Sequence, residues 1–472
     1  MEPTALFNTV SGLWDDAVLP SLSEFVAIPA VSPAFDPAWA ANGHLAAGVA
    51  HVRAWIADRG LPGVELEIVQ LPERTPLLLV DIPAMPGHEG AGTALLYGHL
   101  DKQPPVGGWA DGLDAWTPVI RDGRLFGRGA ADDGYAGYAA IAAIEALRAN
   151  GGAHGRCVVM LEACEESGSP DLEAYVQHLT DRLGRVTLVV CLDSGAADYE
   201  RMWLTTTLRG LVQVTATVKV LEFGQHSGMV SGIVPSSFRI MRQLLDRIED
   251  SATGRIKIAE MHVEVPAGRQ SEIRESVATA PGFASAGIPF ADAVAPVTSD
   301  EVEQVLNNTW GPTLSIIGAD GLPLPADAGN VLRPFTTLVL SFRLPPTADS
   351  AAAMDAVTKA LTTDVPYGAH VELTRFEHAD GWNAPELAPW LREALDTAGQ
   401  DVFGSPWRTL GVGGSIPFMG LLNGLYPDAQ FVATGALGPG SNAHVPDESL
   451  HIDYAKKITA AIAKVLDAHA KH

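Results

Sequence analysis

Histidines and carboxylates stand at the ends of apolar runs in this sequence, a placement that suits metal-assisted hydrolysis. The first group is Gly98-His99-Leu100-Asp101, closing the apolar run Thr93–Leu100. Residues two apart on a strand face the same side, so His99 and Asp101 project together. A metal-ligating His usually gives its other ring hydrogen to an acceptor such as a carboxylate, and Asp101 is placed to receive it. The second group, Gly127-Arg128-Gly129-Ala130-Ala131-Asp132-Asp133-Gly134, leads into an Ala-rich helical stretch. One acid of this pair could be a helix N-cap, but a glycine-rich approach to both is not explained that way.

The third group is Glu165-Glu166, just after the run Val158–Ala163. Paired glutamates at a strand end repel, which raises one pKa unless a cation compensates them. One could ligate a metal while its neighbour holds a water as general base. Cys191-Leu192-Asp193 ends a further run, and Gly438-Pro439-Gly440-Ser441-Asn442-Ala443-His444 is a glycine-rich loop presenting one His. A solvated loop accounts for any one of these alone. Together His99, Asp132, Glu166, Asp193 and His444 suit two zinc-like ions sharing a bridging carboxylate.

The elements that must position them alternate. A first helix precedes a second with Leu45, Val49, Val52 and Ile56 on one face, and the runs Leu77–Ile82, Thr93–Leu100, Val158–Ala163 and Leu188–Leu192 read as buried strands. Helices are expected over about Tyr135–Asn150 and, capped by Asp171, to about Thr180. This order predicts an α/β fold with a mainly parallel sheet flanked by helices, whose crevice beyond the strand C-termini would hold the site. From Thr207 the pattern changes to strand-helix-strand-strand-helix-strand, including Val212–Val220, Pro235–Ile248, Thr336–Leu344, Asp349–Leu361 and His370–Phe376. It predicts an inserted α+β sandwich over 207–382, with 1–206 and 383–472 forming the first domain. A last helix, opened by Asp453, aligns Ile458, Ile462, Val465 and Leu466.

The composition agrees. With 472 residues, 47% hydrophobic and 18% charged, the chain can bury more than one core and is not disordered. Its 31 Lys+Arg against 56 Asp+Glu give a net charge of −25, which argues against nucleic-acid or anionic-membrane partners. No run is long and apolar enough to span a bilayer, and no secretory signal is visible. Cys157, Cys164 and Cys191 read as buried, reduced thiols of a cytoplasmic protein.

As a set, these motifs resemble the co-catalytic metallopeptidases that include carnosinase-type dipeptidases, aminoacylase, succinyl-diaminopimelate desuccinylase and acetylornithine deacetylase. The resemblance runs from Ile28-Pro29-Ala30-Val31-Ser32 to Pro446-Asp447-Glu448. It implies that His99 and Asp193 bind one divalent ion, Glu166 and His444 a second, and that Asp132 bridges them. Asp101 would orient His99, Glu165 would be the general base, and the peptide Asp132–Asp133 would be cis. The ions would be zinc, with manganese or cobalt also accepted.

The inserted segment supplies further matches. Phe223-Gly224-Gln225-His226-Ser227-Gly228 resembles a lid loop whose histidine, in dimeric members, reaches the neighbouring subunit's site and polarises the scissile carbonyl. Arg343 matches an arginine that clamps the substrate carboxylate, and Asn330 lies near it in the family pattern. Gly414 and Ser415, in Gly413-Gly414-Ser415-Ile416-Pro417, would hold the same end. The resemblance therefore implies a homodimer that hydrolyses dipeptides or small peptides with a free C-terminal carboxylate. The alternative within the family is an N-acyl-amino-acid deacylase. Lys102 and Gly134-Tyr135 depart from the family pattern and could line the entrance.

Overall fold

The computed structural model describes residues 2–414 and 417–472. Helices Pro3–Leu13 and Leu19–Val26, joined by a wider turn, come first, followed by His44–Asp58. The central sheet then begins with β1 (Glu65–Val69), β2 (Leu77–Ile82) and β3 (Thr93–His99). A hairpin of β4 (Val119–Arg121) and β5 (Arg124–Phe126) intervenes before the sheet resumes with β6 (Arg156–Glu162), β7 (Val186–Cys191) and β8 (Trp203–Leu208).

Next comes the second sheet. β9 (Gly210–Lys219) buries every other residue, as its alternation predicts. A two-residue β10 (Gln225–His226) precedes β11 (Thr313–Asp320), β12 (Val331–Leu332), β13 (Phe335–Leu344) and β14 (His370–Ala379). Strands β11-β13-β9-β14 form an antiparallel sheet, covered by the helices Ser237–Ile248 and Ser350–Thr362 through one apolar cluster. The order is that of a split βαβ sandwich, in line with the strand-helix-strand-strand-helix-strand reading. Helices Ala267–Thr279 and Glu301–Thr309 are additions to it.

The chain returns through β15 (Trp382–Asn383), β16 (Arg408–Val412) and β17 (Gln430–Ala433) to a nine-stranded mixed sheet. Its centre, β6-β3-β7-β17, is parallel, and the flanking pairs β1-β2, β2-β6, β17-β8 and β15-β8 are antiparallel. All seven residues of β3 are buried, as a parallel strand covered on both faces requires. Helices Tyr135–Ala149 and Ile452–His469 cover one face with the N-terminal helices, and Leu172–Leu183 and Pro417–Leu425 cover the other. A third, small sheet, β4-β5 with β18 (Ser449–His451), joins the Asp132 segment to the chain after His444.

Several local expectations are corrected. Asp171 precedes its helix but does not cap it, because its carboxylate instead accepts from Arg74 Nη1, the Thr75 amide and the Thr75 hydroxyl at 2.8–2.9 Å. The last helix is capped by the His451 side chain, with Asp453 inside the first turn. Lys102 does not line an entrance: it is fully buried, and its Nζ donates to the carbonyls of Phe25, Val26 and Ile28, the end of an early helix. Tyr135 is buried as well, donating to the Leu192 carbonyl and accepting from the Ala436 amide. Among the described residues no helix is long and apolar enough to cross a membrane. The three cysteines are buried and free.

Candidate metal centre

Three adjacent parallel strands deliver most of the site. His99 ends β3, Glu165 and Glu166 lie in the turn after β6, and Asp193 follows β7 by two residues. Asp132 arrives differently. It sits in the turn before helix Tyr135–Ala149, beyond the short strand β5, and not at an end of the main sheet. The peptide between Asp132 and Asp133 is cis, as the family resemblance implies. Gly98 permits the close approach beneath His99, because a Cβ there would fall 2.7 Å from the Asp133 carboxylate and 2.6 Å from Ala136. In that space Asp133 Oδ2 accepts the His99 amide at 3.3 Å.

The five residues expected to hold metal fall into two groups that share Asp132. Ligand atoms of His99, Asp132 and Asp193 lie within 4.8 Å of one another, and so do those of Asp132, Glu166 and His444. Asp132 Oδ1 faces His99 Nε2 at 3.4 Å, while its Oδ2 faces His444 Nε2 at 2.9 Å. One carboxylate thus addresses both groups. His99 is oriented from behind: its Nδ1 is 3.0 Å from the Asp101 backbone carbonyl and 3.4 Å from Asp101 Oδ1. The Asp101 carboxylate itself accepts the amides of Glu165 and Glu166.

The electrostatics call for cations. Burial, with the Asp132 charge added, pushes the Glu166 carboxyl up to about 8, and burial pushes Asp193 up to about 6. Glu165 is held well above its ordinary value by burial and by Asp193. The hydrogen bond to Asp132 lifts His444 to about 9. Burial opposes charge on His99 and Asp132, but their pairing with surrounding groups outweighs it, keeping His99 protonated and Asp132 ionised. Protons therefore occupy sites that divalent ions would neutralise. His99 Nε2 and Glu166 Oε1 are buried without a hydrogen-bond partner, as free ligand atoms should be. A mixed imidazole and carboxylate set suits zinc, manganese or cobalt.

A model of peptidase family M20/M25/M40 matches residues 95–468. The chain belongs to this family. It is similar to the cysteinylglycine-S-conjugate dipeptidase of Corynebacterium striatum, with 28% identity over 396 residues, 81% of this chain and 82% of that protein. Its fold is similar to human carnosine dipeptidase 1, at TM-score 0.77 and 22% identity over 100% of this chain and 99% of the other. It also resembles an M20 family metallo-carboxypeptidase from Sulfolobus solfataricus, at TM-score 0.77 and 20% identity over 97% and 100% of the two chains.

In this M20 peptidase the remaining expected residues lie apart from the two groups. His226 is exposed on β10, and among the described residues no hydrogen bond or ion pair joins it to the five. Asn330 is exposed, and its carbonyl accepts the Ser227 amide at 2.8 Å, fastening the His226 loop. Arg343 lies on β13, opposite Leu211 and Thr313. Gly414 is exposed, and Ser415 lies outside the described residues. Arg209, which the sequence reading passed over, connects two of them. Its amide donates to the Gly414 carbonyl at 3.2 Å, and its Nη2 reaches Gly311 O, Thr313 Oγ1 and Arg343 O. Burial, and then Arg343, push its guanidinium down to about 10.

Sequence reasoning also missed Gln103, whose Nε2 donates to Glu166 Oε2 at 2.5 Å. Its position two residues beyond Asp101 was the available signal. Asp133 reads from the sequence as a helix cap, whereas in the structure its carboxyl is buried against the His99 amide.

Proposed function

We propose that this M20 peptidase hydrolyses the amide bond of dipeptides or small peptides bearing a free C-terminal carboxylate. The observation that carries the reading is the Asp132 carboxylate, with one oxygen toward His99 and the other toward His444. His99 and Asp193 would hold one divalent ion, Glu166 and His444 the other, and Asp132 both. Such ions, when bound, lower the pKa of water and polarise a carbonyl. Glu165 belongs to neither ligand group yet follows directly on the backbone held by Asp101. Its half-buried carboxylate takes the proton of the attacking water and passes it to the leaving amine.

Residues 207–382 would act as a lid and dimerisation domain, and 1–206 with 383–472 as the catalytic domain. His226, supplied from a second copy in a homodimer, would donate to the developing oxyanion. Its exposure supports this role, as do the exposed apolar neighbours Phe223, Met229 and Ile233, at 70%, 73% and 80%. Arg343 would clamp the substrate carboxylate, with Asn330, Gly414 and Ser415 around it. Zinc is the proposed metal, and buried free thiols support a reducing, cytoplasmic setting.

The test is a side-by-side assay of the zinc-loaded protein on dipeptides, their C-terminal amides and N-acyl amino acids, read by amine release. Dipeptides should be cleaved and their amides should be much poorer. Cleavage confined to N-acyl amino acids would replace this reading with a deacylase.

A further inference from the structure

Glu448 is completely buried, a rare place for a carboxylate. Its Oε1 accepts three backbone amides, those of Gly129, Ala131 and Asp132, at 3.0, 3.2 and 3.2 Å. Its Oε2 accepts Arg128 Nη1 at 2.7 Å, and Arg128 is itself 1% exposed. The guanidinium continues outward, Nη2 donating to the Val445 carbonyl at 3.1 Å. The Gly127 amide closes the arrangement by donating to the Glu448 carbonyl at 3.0 Å.

This network spans two segments more than 300 residues apart in sequence. One carries Asp132; the other carries His444. The last of the three amides is that of Asp132 itself, the residue common to both ligand groups. The guanidinium grips the carbonyl immediately after His444, whose backbone sits at φ +65. A non-glycine residue in that region persists only when its surroundings hold it there. The neighbouring pairing of β18 with β5 aligns the two segments, and Glu448 with Arg128 ties the backbone of the ligand-bearing turn to that of the ligand-bearing loop.

We propose that Glu448, tied to Arg128, is a positioning residue for the metal centre. It fixes the Asp132 turn against the His444 loop and so sets the spacing of the Asp132–Glu166–His444 group. His99 and Asp193 enter on β3 and β7, which this network does not touch. The inference rests on the two-ion reading given above. Charge-assisted bonds of this kind are short and strong, and groups that orient ligands typically change metal affinity about 10- to 100-fold when removed.

The test is calorimetric titration of chelator-stripped protein with zinc, comparing wild type with Glu448→Ala, Glu448→Gln and His444→Ala. Wild type should take up two ions. Glu448→Ala should lose about 10- to 100-fold at the site that His444→Ala abolishes and clearly less at the other, which shares only Asp132 with the network. Glu448→Gln, which retains an acceptor for the three amides but not the charge for Arg128, should recover part of that loss. Wild-type affinity at both sites in Glu448→Ala, or equal weakening of both, would overturn the positioning role. If Glu448→Ala does not fold, Glu448→Gln decides: selective weakening of the His444 site supports the role, and two unchanged sites overturn it. A wild type that binds fewer than two ions would overturn the two-ion reading and this inference with it.

Discussion

Asp101 Oδ1 accepts the amide of Glu165 at 3.0 Å, so the residue expected to steady His99 also anchors the proposed base. Its second oxygen accepts the Glu166 amide at the same distance. One side chain thus sets a ligand of each group and the base between them. Asp101→Asn would present an amide NH₂ to one of these donors, leaving two hydrogens in opposition. The expected result is a fall in kcat of about 10- to 100-fold with weaker zinc binding, read by steady-state kinetics alongside zinc titration. Unchanged kcat and affinity would show that the backbone carbonyl of Asp101 suffices.

Glu165 is the residue whose loss should separate chemistry from metal binding. It lies in neither ligand group, yet burial and Asp193 keep its carboxyl ready to hold a proton. Glu165→Gln should retain wild-type zinc content and lose roughly 10²- to 10⁴-fold in kcat. A variant that turns over normally would remove Glu165 from the mechanism.

Metal removal should leave a pH signature. Without cations, Glu166 is raised from an ordinary 4.5 to about 8 and Asp193 from 3.8 to about 6. Both bind protons more tightly in the folded chain than in the unfolded one. The stability they lend is therefore complete below about pH 4 and is lost as pH rises through 6 and then 8. His444, raised to about 9, acts in the same direction at the upper end. Ions replace these protons, so the melting-temperature gap between zinc-loaded and chelated protein should widen from about pH 5 to pH 9. Zinc uptake at about pH 6–7 should release protons, measurable by calorimetry in buffers of different ionisation enthalpy. A gap that narrows with pH would contradict the proton placement.

The legibility of the site followed the range of the forces that build it. His99, Glu166 and Asp193 announce themselves because a buried strand is a visible apolar run, and a charged residue at its end stands out. Asp132 was legible as half of an acid pair, but not its route into the site through β5 and a separate small sheet. Asp171 looked like a cap because local sequence allows one; Arg74 and Thr75, brought in by tertiary packing, outcompete the helix amides. Glu448 ends the stretch that carries the family resemblance, but its buried role is illegible for the same reason. Beside Pro446 and Asp447 it looks like a solvated loop acid, and its partners belong to a turn that the fold alone brings near.

Lys102 gives the sharpest contrast between a sequence expectation and its structure. A lysine next to Asp101 would be placed at a substrate entrance, where its replacement should shift KM and leave stability alone. Instead its ammonium lies 4.2 Å from the Phe25 ring centroid and donates to three carbonyls at the end of helix Leu19–Val26. The Phe25 and Ile28 carbonyls also accept the Ile28 and Ala30 amides, and a cation at this helix end offsets the helix dipole. Burial opposes the charge, pushing the ammonium down to about 7, which limits the net gain. Lys102→Met preserves most of the volume but takes the charged donor from all three carbonyls. Those of Phe25 and Ile28 are left with the Ile28 and Ala30 amides, so a loss of about 1–3 kcal/mol is expected. Denaturant unfolding of the zinc-loaded protein measures it. The folded fraction should keep its KM, whereas a raised KM at unchanged stability would return Lys102 to the entrance.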